Sequence, residues 1–126
     1  MQVFKTRWFA RFARHELITD ASLRQAIARA ERGLIDADLG GGLIKQRVAR
    51  KGQGRSGGYR VIVGYRAHGR AIFLFGFAKS ERENIGPDEL TFLRKLAENW
   101  LAAGAAMIRE EIRAGNLQEI EDEEEA

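Results

Sequence analysis

Residues 43–77 read LIKQRVARKGQGRSGGYRVIVGYRAHGRAIFLFGF, and their pattern decides the fold. Short runs rich in Val, Ile, Phe and Tyr alternate with glycine-bearing links, which is the pattern of strands. Three strands are predicted, at about Leu43–Arg50, Tyr59–Arg66 and Arg70–Phe77. Ala67-His68-Gly69 has the length of a hairpin link, and Lys51–Gly58 is a basic glycine loop. Consecutive strands with short links imply an antiparallel sheet. Side chains alternate along a strand, so Lys45 and Arg47 share one face while Ile44, Gln46 and Val48 share the other. Arg60 points away from Tyr59, Val61 and Val63. If the valine faces pack on helices, Lys45, Arg47 and Arg60 meet on an open face.

The third strand gives Phe73, Phe75, Phe77 and then Lys79 one parity. Phe73 is expected in the core. Phe75 and Phe77 are candidate stacking platforms beside the cations, since aromatics interleaved with Arg and Lys on a sheet are a common way to hold single-stranded RNA.

Upstream, Phe4, Trp8 and Phe12 recur at helical spacing with Arg7, Arg11 and Arg14 between them, preceded by a short strand at Gln2–Lys5. Thr19 or Asp20 suits the N-cap of a second helix with Leu23, Ile27, Ala30 and Leu34 on one stripe and Gly33 near its stop. The pair forms a helical hairpin. Downstream, Pro87 opens a helix carrying Leu90, Leu93, Leu96, Ala97, Trp100 and Leu101, Gly104 divides it, and Met107, Ile108 and Ile112 continue. Gly115-Asn116 ends that stretch, and Leu117 and Ile120 form a short strand or a docked tail. The fold class is α+β: a helical hairpin packed on a small antiparallel sheet, with C-terminal helices.

The chain of 126 residues is expected to form one domain over residues 1–118, followed by an acidic tail at 119–126. The tail, EIEDEEEA, holds six of the 18 acids, so the body carries 21 bases against 12 acids, a charge of +9. Residues 43–82 contain ten Lys/Arg and one acid, Glu81. Such a block points to a polyanion, nucleic acid first, or to a solvated basic surface. The tail reads as a solubilising segment or as a screen folded back on the basic face. No apolar run approaches the ~20 residues of a membrane span, so no membrane partner is expected. The composition reads as soluble and intracellular.

Cysteine is absent and histidine is limited to His15 and His68, which disfavours thiol, triad and metal chemistry. No cofactor is expected. GQGRSG at 52–57 matches G-x-G-x-x-G, but a strand follows it where a dinucleotide fingerprint requires a helix. What survives is a loop whose amides, with Lys51 and Arg55, suit a phosphate. Lys and Arg can cleave a phosphodiester without metal. Arginine stabilises the phosphorane through its planar fork, and a lysine crowded by cations has its neutral form favoured and can serve as base.

The helical hairpin, the basic strand with Lys45 and Arg47, SGGYR at 56–60 and FAKSEREN at 77–84 together resemble the RelE/ParE superfamily of toxins from type II toxin–antitoxin operons. The similarity runs best from Phe4 to Asn84 and is nearest to the HigB-like or RelE-like branch, which GNLQEI at 115–120 also suits. The resemblance implies a ribosome-dependent mRNA endonuclease that works without metal in the cytoplasm. Its partners would be the ribosome, mRNA and a cognate antitoxin expected to carry a helix-turn-helix DNA-binding domain. Carried over by position, the catalytic set is Lys45, Arg60, Lys79 and Arg82. The RNA-binding set is Arg47, Lys51, Arg55, Tyr59, Phe75 and Phe77. Two positions depart from the pattern. Ser80 stands where an arginine is expected, and a C-terminal tyrosine has no counterpart near Gly86. The general acid is therefore open. The alternatives are a ParE-like inhibitor that binds DNA gyrase, and a non-catalytic RNA-binding relative.

Overall fold

A computed structural model describes residues 1–50 and 54–121, the side chains of 54–56 excepted. The elements in chain order are β1 (Gln2–Thr6), α1 (Arg7–Glu16), α2 (Asp20–Glu31), β2 (Ala37–Gly40), β3 (Leu43–Arg50), β4 (Gly54–Arg66), β5 (Arg70–Ala78), α3 (Pro87–Ala102), α4 (Ala105–Arg113) and β6 (Leu117–Glu119). The architecture is α+β, with one six-stranded sheet in the order β2-β3-β4-β5-β1-β6. Every neighbouring pair is antiparallel except β1 with β5.

The helices begin where side chains supply the missing acceptors. The Thr6 hydroxyl accepts the Phe9 N–H at 3.2 Å, and the Thr19 hydroxyl accepts the Ser22 N–H at 3.1 Å. Thr19, of the two candidates, is thus the cap of α2. The cap at Thr6 also shifts the apolar stripe of α1. Phe4 belongs to β1, Trp8 is 46% exposed, and Phe9, Phe12 and Ala13 face the sheet.

The sheet is sandwiched. On one face α1 and α2 pack against Ile44, Val48, Val61, Val63 and Phe73. On the other, Leu93 and Ala97 of α3 and Ile108 of α4 pack against Leu43, Ile62, Ile72 and Leu74. The expected open face is therefore partly covered, because the leucine stripe of α3 needs an apolar partner and the sheet offers one. At Gly64 a Cβ would sit 3.2 Å from the Ala97 Cβ, so two small residues let α3 approach β4 closely.

The expected single parity of Phe73, Phe75 and Phe77 does not hold. Val63 pairs with Phe73 and Ile62 with Phe75, leaving Leu74 as an extra residue in a bulge. The bulge reverses the alternation, so Phe73 joins the α1–α2 core while Phe75 and Phe77 join the α3 side.

Strand β2 is an edge strand of four residues with alternating exposure, too short to leave an apolar signal. β6 pairs with β1, and the Ile120 N–H donates to the Val3 carbonyl at 2.8 Å. Ile120 is buried in the core on the α1–α2 side. The remainder of the acidic segment, 122–126, lies outside the described residues. No helix among the described residues is long and apolar enough to cross a membrane.

Gln46 ties β3 to α2. It is fully buried, accepts the Asp36 N–H at 2.7 Å, and donates to the Ala26 and Leu34 carbonyls at 3.0 and 3.2 Å. Gln46→Leu would keep the volume and orphan three backbone groups. A loss of about 2 kcal/mol is expected from the desolvation cost of unpaired groups, measurable by urea unfolding.

Candidate functional site

The β3–β4 register sets the site. Arg47 and Arg60 are direct cross-strand partners, so their side chains leave the same face. On the other side of Arg60 stands Phe77. All three lie on the α3 face, with Arg47 exposed and Arg60 and Phe77 buried. Lys45 is on the same face and donates to the Asn84 side-chain oxygen at 3.4 Å. Arg82 lies with its guanidinium 5.3 Å from the centre of the Phe77 ring. The structure thus brings together Lys45, Arg47, Arg60, Phe77 and Arg82.

Arg60 is 7% exposed. Burial, and secondly the like charge of Arg47, hold its pKa below the ordinary guanidinium value, with Asp36 partly opposing them. Asp36 is tied to the same strand, since its carboxylate accepts the Arg47 backbone N–H at 2.7 Å and lies 3.8 Å from Arg29.

Each nitrogen of the Arg82 guanidinium donates to a protein acceptor. Its Nε donates to the Asn84 carbonyl at 3.0 Å, Nη1 to Glu89 Oε2 at 3.1 Å and Nη2 to Glu89 Oε1 at 2.5 Å. Glu89, in the first turn of α3, also reaches back to accept the Gly86 N–H at 2.8 Å. The Arg82 bonds first, and the Gly86 N–H second, bring the Glu89 carboxyl down to about 2 from an ordinary value of 4.5. A depressed carboxyl contributes stability above its unfolded pKa. The contribution of Glu89 is therefore whole above about pH 4.5 and is lost as pH falls toward 2. A carboxyl NMR titration should place Glu89 near 2, and a midpoint near 4.5 would contradict the pairing.

The other expected residues fall elsewhere. Tyr59 is 3% exposed on the opposite face, where its hydroxyl donates to the Glu16 carboxylate at 3.0 Å. Burial and that bond push its pKa up. It is a core residue and offers no ring to a base. Phe77 is buried and supports Arg82, so it too lacks a free stacking face. Phe75 is half-buried, 4.8 Å from Trp8 between ring centres. It floors a groove of about 530 Å³ walled by Trp8, Phe92, Leu96 and Trp100. Lys79 is half-buried at the end of β5, where its N–H donates to the Gly58 carbonyl at 2.9 Å. Lys51, residues 52–53 and the Arg55 side chain lie outside the described residues, and the rest of the expected loop, from Gly54 on, is strand: it opens β4.

Asn84, Glu89 and Asp36 were not legible as site residues in the sequence. The available signal for Glu89 was its place three residues after Gly86 and two after Pro87, at the start of a helix.

Fold and site together define a class: a small α+β domain that gathers cations at one end of a sheet face. The chain belongs to the RelE toxin family; the family model for the RelE toxin of the RelE/RelB toxin–antitoxin system matches residues 1–120. No curated protein sequence matches the chain.

Proposed function

We propose that the protein is a ribosome-dependent mRNA endonuclease of the HigB-like or RelE-like branch, acting in the cytoplasm and held in check by a RelB-type antitoxin that carries a helix-turn-helix domain. The observation that carries this reading is the Arg47–Arg60 pair. Two guanidinium side chains directly opposite on one sheet face repel, and one of them is buried. A bound phosphate offsets both costs. Arginine also suits a phosphorane, because its fork matches two equatorial oxygens.

In the proposed reaction the 2′-hydroxyl of one nucleotide loses its proton to Lys45, the lysine on the Arg47–Arg60 face, and attacks the adjacent phosphorus. Arg60 and Arg47 stabilise the charge that builds on the phosphorane. The P–O5′ bond then breaks, the leaving 5′-oxygen takes a proton, and the products are a 2′,3′-cyclic phosphate and a 5′-hydroxyl. Lys51 and Arg55 are assigned to hold the RNA backbone.

Translation extracts given the protein should yield mRNA cut in the ribosomal A site. Intact mRNA together with blocked DNA supercoiling would instead mark a ParE-like gyrase inhibitor. Binding of RNA with neither effect would mark a non-catalytic relative.

A further inference from the structure

We infer that Glu89 is a positioning residue of the cation site, and that Arg82 is its intermediary rather than a ligand of the RNA. This rests on the reading of the face as an RNA-cleaving site. The geometry is specific. The Arg82 fork meets both Glu89 oxygens, its Nε meets the Asn84 carbonyl, and its plane covers Phe77. To hold a phosphate by its fork, an arginine so placed would have to give up one of these acceptors. It joins β5, the turn after it and the first turn of α3. Within that turn Asn84 holds the Lys45 ammonium through its side-chain oxygen, and the same oxygen accepts the Ile85 N–H at 3.1 Å. Glu89 thereby sets the position of Lys45 and of the turn that begins at Lys79, without touching the reacting atoms. A lysine at position 82 would keep the charge but could not span both Glu89 oxygens, Asn84 and Phe77 at once.

The test combines RNA cleavage, the salt dependence of single-stranded RNA binding, and arginine side-chain NMR. A lysine or arginine that neutralises a phosphate on a single strand adds about 0.7 to the slope of log K against log salt. Arg82→Ala should leave that slope unchanged while lowering cleavage about tenfold or more. Arg82→Lys should cleave as poorly as Arg82→Ala. Glu89→Gln keeps an acceptor for the Gly86 N–H. It should lower cleavage tenfold and steepen the slope by about 0.7, because the released Arg82 can then take a phosphate. The Arg82 Nε–H should exchange slowly in the wild type and rapidly in Glu89→Gln, a readout that needs no RNA.

A slope flattened by about 0.7 in Arg82→Ala would make Arg82 a direct phosphate ligand and overturn the inference. Wild-type cleavage rates in both Glu89→Gln and Arg82→Lys would overturn it as well. If the wild type cuts no RNA, the proposed function fails. The positioning arrangement is then decided by the exchange of the Arg82 Nε–H alone, and fast exchange in the wild type would refute it.

Discussion

Arg60→Met is expected to lower RNA cleavage about 1,000-fold. Arg60 is 7% exposed, faces Arg47 across the strand pair, and donates through Nη1 to the Tyr59 carbonyl at 3.4 Å. Its charge is oriented before the substrate arrives, so its stabilisation of a phosphorane needs no reorganisation. Losing it should cost about 4 kcal/mol of transition-state stabilisation, which is about three orders of magnitude in rate. Arg60→Lys retains charge without the fork and should recover only part of the rate. A thermal melt shows that the variant is folded, and a single-turnover cleavage assay on the same preparation measures the loss. A folded Arg60→Met that cleaves at the wild-type rate would contradict the assignment.

Gly58→Ala should be the most damaging small substitution. A Cβ at Gly58 would lie 2.2 Å from the Val48 carbonyl oxygen and 2.7 Å from the Arg50 nitrogen. Both are backbone atoms, so no rotamer change can make room. The register of β3 and β4 already shifts between Val48 and Arg50, and Gly58 sits against that irregularity. Its carbonyl also accepts the Lys79 N–H, which closes β4 onto β5 beyond Ala78. Forcing the strands apart should cost about 3 kcal/mol through overpacking and lost ladder bonds, or about 10 °C in melting temperature for a chain of this size. Arg60 is two residues away on the same strand, so the surviving folded fraction should also cleave poorly. Wild-type stability in Gly58→Ala would show that this tight approach is not what the paired glycines of SGGYR provide.

Much of this was legible in the sequence, and the residues show why. The three central strands, both helix pairs and the placement of Lys45, Arg47 and Arg60 on one face follow from local periodicity, which depends only on near neighbours. The bulge at Leu74 does not, because it is a property of the pairing with β4. Missing it left Phe73 on the same face as Phe75 and Phe77. The cover of α3 over the sheet was hidden for the same reason, since a leucine stripe shows that a helix packs but not on what. The sequence placed cations on the site and missed the acid and amide that hold them. Glu89 and Asn84 reach Arg82 and Lys45 from a turn and a helix start, where no repeating pattern marks a functional side chain.

The central claim is that the Arg47–Arg60 face cuts mRNA on the ribosome. Mapping of mRNA 5′ ends in cells expressing the protein tests it most directly. Wild type should produce new 5′-hydroxyl ends within codons occupying the A site, and Arg60→Met, expressed at equal level, should produce none. Growth arrest without new mRNA ends, or the same ends from Arg60→Met, would contradict the account.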